Sequence, residues 1–312
     1  MKKLLRYIAA AACLALVFSC KDDEETTTKP SLDGIALEGG VAYIARGETQ
    51  TYTIKTSSLT TSGDEMPVVI GIIVKVNSEK SDTLSTDIRV KPVTSYSYTA
   101  AEVGTYSVNC YAYTPDGSQY SASATTSFKA IDPDNSLKGI AGTLQPGEKY
   151  LQTNIGGLTW MAQNLAETTS GIPYEKCEIL NGIFGRYYTY EEALTACPAG
   201  WRLPSAAEWD ALGTDPGKLM ANATFLDVQL WKYSKEVNIT NETGFNAIPV
   251  GYVDKTEYYQ SNVGLKEYAA FWTADAKDAF LAHYRYIFGT NPTVQKGEGS
   301  RTSLALSVRC VK

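Results

Sequence analysis

The chain is nearly without histidine: His283 is the only one in 312 residues. One imidazole leaves few ways to build a histidine metal centre or a histidine-based catalytic pair. Clusters of basic residues are also missing. The formal charge is -6, and removing Lys2, Lys3 and Arg6 leaves -9. An acidic chain with no basic patch is a poor partner for nucleic acid or anionic lipid, so nucleic acid is excluded. No acid pair or nucleophile–base set stands out. The expectation is a protein that is not an enzyme and carries no cofactor. Long membrane-spanning runs are not offered at the start of the chain either. The apolar stretch from Leu4 to Phe18 is about fifteen residues, short of the ~20 that span a bilayer.

That stretch has a different use. A basic head with Lys2, Lys3 and Arg6, an apolar core and a small residue before a cut site make a signal peptide. Val17-Phe18-Ser19-Cys20 resembles the bacterial lipobox, in which the cysteine is lipidated and becomes the mature N-terminus. Phe18 is bulkier than that pattern usually has. An uncleaved anchor helix, or an ordinary signal with a chance cysteine, is the alternative. Lys21-Asp22-Asp23-Glu24-Glu25 resembles the tag that sends lipoproteins of Bacteroidetes-type bacteria to the outer face of the outer membrane. The resemblance implies a surface-exposed outer-membrane lipoprotein anchored through Cys20. A single acyl chain holds only marginally, so stable attachment needs more than one.

Residues 20–31 read as a charged, Thr-rich tether between lipid and fold. Residues 32–131 carry short alternating runs. Gln50 to Lys55 alternates, Val68 to Val76 is β-branched, and Thr105 to Tyr113 puts Tyr106, Val108, Cys110 and Ala112 on one face. Pro115-Asp116-Gly117 is a turn before a further strand through Tyr120, Ala122 and Ala124. Such a series predicts an all-β antiparallel sandwich. Glu102-x-Gly104-x-Tyr106 resembles the corner that opens the sixth strand of immunoglobulin-like domains, with Val108 where their cysteine stands. Cys110 then has no partner in the earlier strands and reads as a buried free thiol. No chemistry is visible here, and a spacer is the expectation. Residues 132–137, containing Asp132-Pro133-Asp134-Asn135-Ser136, read as the linker.

From residue 138 to 312 the texture changes. Thr189-Tyr190-Glu191-Glu192 and Ser205-Ala206-Ala207-Glu208 are capping boxes, each opening a helix; the first runs towards Cys197 and the second closes near Gly213. Several motifs follow in order. They are Trp160-Met161-Ala162-Gln163-Asn164-Leu165, Gly185-Arg186-Tyr187-Tyr188, Cys197-Pro198-Ala199-Gly200-Trp201-Arg202-Leu203-Pro204, Gly244-Phe245-Asn246-Ala247-Ile248-Pro249, Phe271-Trp272-Thr273, Tyr284-Arg285-Tyr286 and Ser307-Val308-Arg309-Cys310-Val311. Together they resemble the Fibrobacter succinogenes major paralogous domain, a secreted family with an α+β C-type-lectin-like fold. The resemblance implies two helices flanking a sheet, chain ends that lie together, and a disulfide between Cys197 and Cys310. It also implies a second cysteine pair before Gly185, but only Cys177 is there, free or paired between chains.

Trp160, Trp201, Trp209 and Trp272 are expected in the core. Arg186, Arg202, Arg285 and Arg309 are expected in ion pairs or stacking. The sugar-binding loops of calcium-dependent lectins are missing, and Asp275 and Asp278 are the candidates for a cation, if they are not simply solvated. Formylglycine-generating enzymes share the implied fold class but use an active-site cysteine pair that this chain does not offer. The polar-aromatic stretch with Tyr252, Tyr258, Tyr259, Gln260, Asn262 and Tyr268 reads as a loop and as a ligand surface, and Gly289 to Arg301 as another. Asp82-Thr83-Leu84 resembles the glycosylation signal of Bacteroidetes secreted proteins, with Thr83 as acceptor. The function expected is adhesin-like: binding a glycan or protein ligand at the cell surface. The rival is a structural subunit of a pilus or envelope assembly.

Overall fold

The computed structural model describes residues 31–59, 68–77, 79–89, 93–118, 121, 123–256 and 261–312. Cys20, Tyr258, Tyr259 and Gln260 lie outside the described residues, as do the side chains of Thr83 and Asn262.

Alternation in the sequence becomes two facing sheets. The strands are β1 (Ser31–Gly39), β2 (Tyr43–Ala45), β3 (Thr49–Leu59), β4 (Val68–Val76), β5 (Glu79–Arg89), β6 (Val93–Thr99), β7 (Gly104–Tyr113) and β8 (Ala124–Ile131). One sheet runs β1-β3-β6 and the other β2-β8-β7-β4-β5. Among the described residues of the sandwich, only β2 and β8 pair in parallel. Tyr52 and Ile54 from the first sheet meet Ile70, Ile72, Val74, Tyr106, Val108 and Phe128 from the second. Each such side chain stabilises by roughly 1.5–3 kcal/mol on burial. Cys110 lies in this core as a free thiol, and burial pushes its pKa up to about 12. Tyr106 holds the corner before its own strand: its hydroxyl donates to the Glu102 carbonyl (2.8 Å) and accepts from the Glu102 amide (3.1 Å). Of the strand expected through Tyr120, Ala122 and Ala124, Tyr120 and Ala122 lie outside the described residues; β8 runs from Ala124 and buries Phe128 and Ala130.

The expected linker is folded. Pro133–Ser136 is one helical turn with proline at its start, and the Ser136 hydroxyl donates to the Asp132 carbonyl. Ile131 at the end of β8 is buried against C-terminal residues including Phe184, Phe225 and Val250, and Tyr43 of β2 packs on the same cluster. Residues Leu137–Lys138 pair with Thr224–Phe225. The two halves therefore share apolar surface instead of hanging on a free hinge.

The regular structure of the C-terminal half is also mainly strand, set among long irregular segments. Its main strands are β9 (Leu151–Ile155), β10 (Leu158–Met161), β11 (Arg186–Thr189), β12 (Tyr252–Asp254), β13 (Ser261–Val263), β14 (Tyr268–Ala276), β15 (Leu281–Phe288), β16 (Gln295–Ser300) and β17 (Leu304–Leu306). The two longest of its short helices are α1 (Tyr190–Ala196) and α2 (Ala206–Asp210). Both carry complete capping boxes, in which Thr189 and Ser205 accept from the third helical amide and Glu192 and Glu208 reach back. α2 gives way to a turn at Ala211, earlier than Gly213. β11, β17, β12 and β13 adjoin in one sheet, and β14-β15-β16 form another. The second sheet separates two cores: Phe271 and Ile287 face Trp160, Trp209 and Trp231, while Ala270 and Trp272 face Met161 and Tyr188. Trp160, Trp209 and Trp272 are buried as expected, and Trp201 is half-buried beneath the Lys312 ammonium, 4.4 Å from its ring.

The ends of this half meet. Thr159 and Lys312 exchange both backbone hydrogen bonds at 3.0 Å, and the Met161 amide donates to the Cys310 carbonyl at 3.0 Å. Cys197, just after α1, is disulfide-bonded to Cys310 across a separation of 113 residues. Cys177 is free and buried. Among the described residues no helix is long and apolar enough to cross a membrane.

Candidate functional site: a tyrosine-faced sheet

Among its described residues, the stretch from Tyr252 to Tyr268 is partly strand. Tyr252–Asp254 and Ser261–Val263 are paired strands, with Asn262 opposite Val253, and Tyr268 opens the long strand β14. The second expected loop is likewise partly strand, as β16. Period-two alternation explains what this does. On one face of the sheet lie Tyr268, Ala270 and Trp272 of β14, opposite Phe288, Tyr286 and Tyr284 of β15. Their rings touch in series. Tyr252 meets Tyr268 edge-on at 5.5 Å, and Tyr268 stacks on Tyr286 at 5.0 Å. Tyr286 lies 5.7 Å from Tyr284, and Tyr284 lies 5.9 Å from the buried Trp272. Phe288, 37% exposed, closes the row against Tyr268 at 6.4 Å. The four tyrosines are half-buried, packed at the edge of the core that holds Met161, Tyr188 and Trp272.

Gly297 makes room for this row. A Cβ there would meet the Tyr284 ring at 2.3 Å, so any side chain at position 297 would displace the tyrosine. Burial, with help from the neighbouring Tyr284, pushes the Tyr268 phenol well above its ordinary pKa. It stays neutral, and the row offers π-faces and hydroxyls, not charge. Nothing in it is arranged for proton transfer or nucleophilic attack. Tyr284, Tyr286 and Phe288 were not anticipated as surface residues. The signal was available in Tyr284-Arg285-Tyr286-Ile287-Phe288, where aromatics alternate with Arg285 and Ile287, both buried on the other face.

His283 shares that other face, 3.9 Å from Glu298. Asp275 and Asp278 serve the backbone. Asp275 accepts from the Ala206 amide at 2.6 Å, and Asp278 accepts from Phe280 and Leu281 at 2.7 and 2.8 Å. Among the described residues there is no group of three or more His, Cys, Asp or Glu placed to hold a metal. Thr83 lies on β5 opposite Ile73.

Three of the four arginines have acids: Arg186 with Glu178 at 2.6 Å, Arg202 with Glu208 at 2.5 Å and Arg285 with Asp210 at 2.8 Å. Arg309 differs. It is 0% exposed, and among the described residues no carboxylate pairs with it. Its Nε donates to Asn164 Oδ1 (2.8 Å), Nη1 to the carbonyls of Met161 (3.0 Å) and Phe245 (2.6 Å), and Nη2 to that of Asn246 (2.8 Å). The Phe245 ring lies 4.6 Å from its guanidinium carbon. Burial pushes its pKa down to about 9, which leaves it charged at neutral pH. It thus fastens the motifs containing Met161, Asn164 and Phe245 to the segment that follows β17.

No curated protein matches the chain. Among solved structures it is similar to a PKD domain of an M14-like peptidase from a Thermoplasmatales archaeon, at 18% identity and TM-score 0.23, over 33% of this chain and 98% of that one. It is also similar to a CARDB domain from Pyrococcus furiosus, at 15% identity and TM-score 0.25, over 34% of this chain and 96% of that one. The Yersinia pseudotuberculosis adhesin InvE is 11% identical with TM-score 0.26, over 88% of this chain and 70% of that one. These TM-scores are too low to define a common fold. The sequence itself matches the Fibrobacter succinogenes major domain over residues 153–312, which is 160 of the 312 residues. With that match over just over half its length, the chain belongs to the Fibrobacter succinogenes major domain family.

Proposed function

We propose that the protein is a displayed, adhesin-like binding protein of the outer membrane. Cys20 carries the lipid, residues 21–31 are the tether, an immunoglobulin-like sandwich is the spacer, and a C-type-lectin-like domain recognises a glycan or protein. The order of the sandwich strands and the Tyr106 corner support the immunoglobulin-like reading. The two capped helices, the paired chain ends and the Cys197–Cys310 bond support the lectin-like one. The observation that carries the function is the row of Tyr252, Tyr268, Tyr286 and Tyr284 in mutual ring contact. Tyrosine gives large rigid contact area at low entropic cost, which is why it dominates recognition surfaces.

The test is a glycan and host-protein array probed with the chain after residue 20. Both halves are kept because they share a core. A retained ligand should bind Tyr286→Ala at least about tenfold more weakly, or ~1.4 kcal/mol. If no ligand is retained and the protein co-purifies with pilus subunits, the assembly role replaces this one. Mass spectrometry of the mature N-terminus checks the anchor: an unmodified chain that begins elsewhere removes Cys20 from the account.

A further inference from the structure

A cavity of about 300 Å³ lies between the two halves, apart from the tyrosine face. The sandwich contributes Tyr43 and Lys129, which are register partners on β2 and β8. The C-terminal half contributes Tyr174, Glu175, Phe225 and Lys266, among others. Its aromatic wall is continuous. Tyr43 and Phe225 are 5.9 Å apart, Phe225 and Phe184 4.9 Å, and Phe184 and Tyr174 4.4 Å. The Lys129 ammonium stands 5.9 Å above the Tyr43 ring.

The backbone around this cavity is strained. Among the described residues eight non-glycine residues have positive φ. Five of them border the cavity: Glu175 (48°) and Lys266 (68°) line it, and Lys176 (57°), Leu226 (51°) and Asp227 (61°) adjoin its lining. Left-handed backbone is costly for residues with a Cβ and collects where a site over-determines it. The Glu175 carboxylate is partly buried and, among the described residues, accepts no hydrogen bond and makes no ion pair; burial raises its pKa, opposed by the charge of Lys129.

We propose that this cavity is a binding site for a single neutral sugar ring. The size is at the lower end for a small-molecule site, and domain junctions are where such sites occur. The aromatic wall suits the C–H face of a pyranose. The polar groups are of both signs and both hydrogen-bonding senses: Glu175 accepts, Lys129 and Lys266 donate, and Gln229 does both. A simple anion would meet Glu175 and a simple cation would meet the lysines. Hydroxyls donate and accept, so a neutral polyol satisfies the whole set. This site is independent of the ligand proposed for the tyrosine row.

Saturation-transfer NMR on the chain after residue 20 tests it, with a panel of free neutral hexoses and N-acetylhexosamines at millimolar concentration. At least one sugar should show transfer. Glu175→Gly and Lys129→Met should each weaken its binding at least tenfold, while Tyr286→Ala leaves it unchanged. Glu175→Gly should also melt no lower than the parent, because it removes a left-handed glutamate. The proposal is overturned if no sugar in the panel binds, if binding survives both cavity variants, or if only Tyr286→Ala abolishes it. A lower melting temperature for Glu175→Gly also overturns it, because the loop is then held for stability alone.

Discussion

Arg309→Met should be among the most damaging single changes in the chain, although it replaces a charged buried residue by an apolar one of similar reach. The magnitude follows from what stays behind. Three carbonyls (Met161, Phe245, Asn246) and Asn164 Oδ1 lose their donor. Each orphaned buried acceptor costs about 1–3 kcal/mol, so the gross loss is roughly 4–12 kcal/mol. The contact with Phe245 adds up to about 2 kcal/mol where desolvated. Against this, methionine removes a buried charge whose desolvation costs several kcal/mol. The net expectation is a loss of ~3–5 kcal/mol, the usual result of breaking a buried charged network on one side. At ~2–4 °C per kcal/mol for a chain of this size, melting should fall by roughly 6–20 °C. Arg309→Lys should recover little, since an ammonium has three donors on one atom and cannot reproduce the fork. Urea titration and near-ultraviolet circular dichroism on both variants give the answer. An Arg309→Met protein as stable as the parent refutes the reasoning, because the acceptors would then have found other partners at no cost.

Two further changes test other parts of the frame. Reduction, or Cys197→Ser, opens a loop spanning 113 residues and should cost up to about 4.7 kcal/mol in urea unfolding, with no change in a Cys110→Ser control beyond its own packing loss. Hydrogen bonds from Arg202 hold the Glu208 carboxyl at about 2, against 4.5 unperturbed. Its pKa is lower in the folded state, so its contribution is complete above about pH 4.5 and is lost as pH falls through about 2. Partial exposure limits this to ~1–2 kcal/mol, and Glu208→Gln should flatten the acid limb of the stability curve measured by chemical denaturation.

What the residues disclosed and what they hid have separate physical causes. β4 and β7 were legible because a face buried on one side writes itself as alternation or as a β-branched run. β5 was not: Glu79 to Arg89 is mostly polar in sequence, and what defines the strand is its pairing with β4 at a sheet edge. The helix starts were legible because capping is local, while the end of α2 depends on packing and came early. Tyr252 and Tyr268 could be picked out as surface aromatics. Their contact with Tyr286 depends on the register of β14 and β15, which a linear reading does not contain. Arg309 looked like the other three arginines. Its lack of an acid emerges only when four distant acceptors are brought around it.

The pairing of Thr159 with Lys312 sets a clock on synthesis. β10 leaves the ribosome about 150 residues before its partner, and at ~5–20 residues per second that is a wait of roughly 8–30 s. Through that interval Trp160 and Met161 have no Val311 or Cys310 to pair with. The sandwich has all its strands by Ile131, and its longest wait, that of β2 for β8, is about half as long. The nascent molecule is therefore finished at its front while its rear is still open, and any factor that binds unfolded chain has its longest opportunity there.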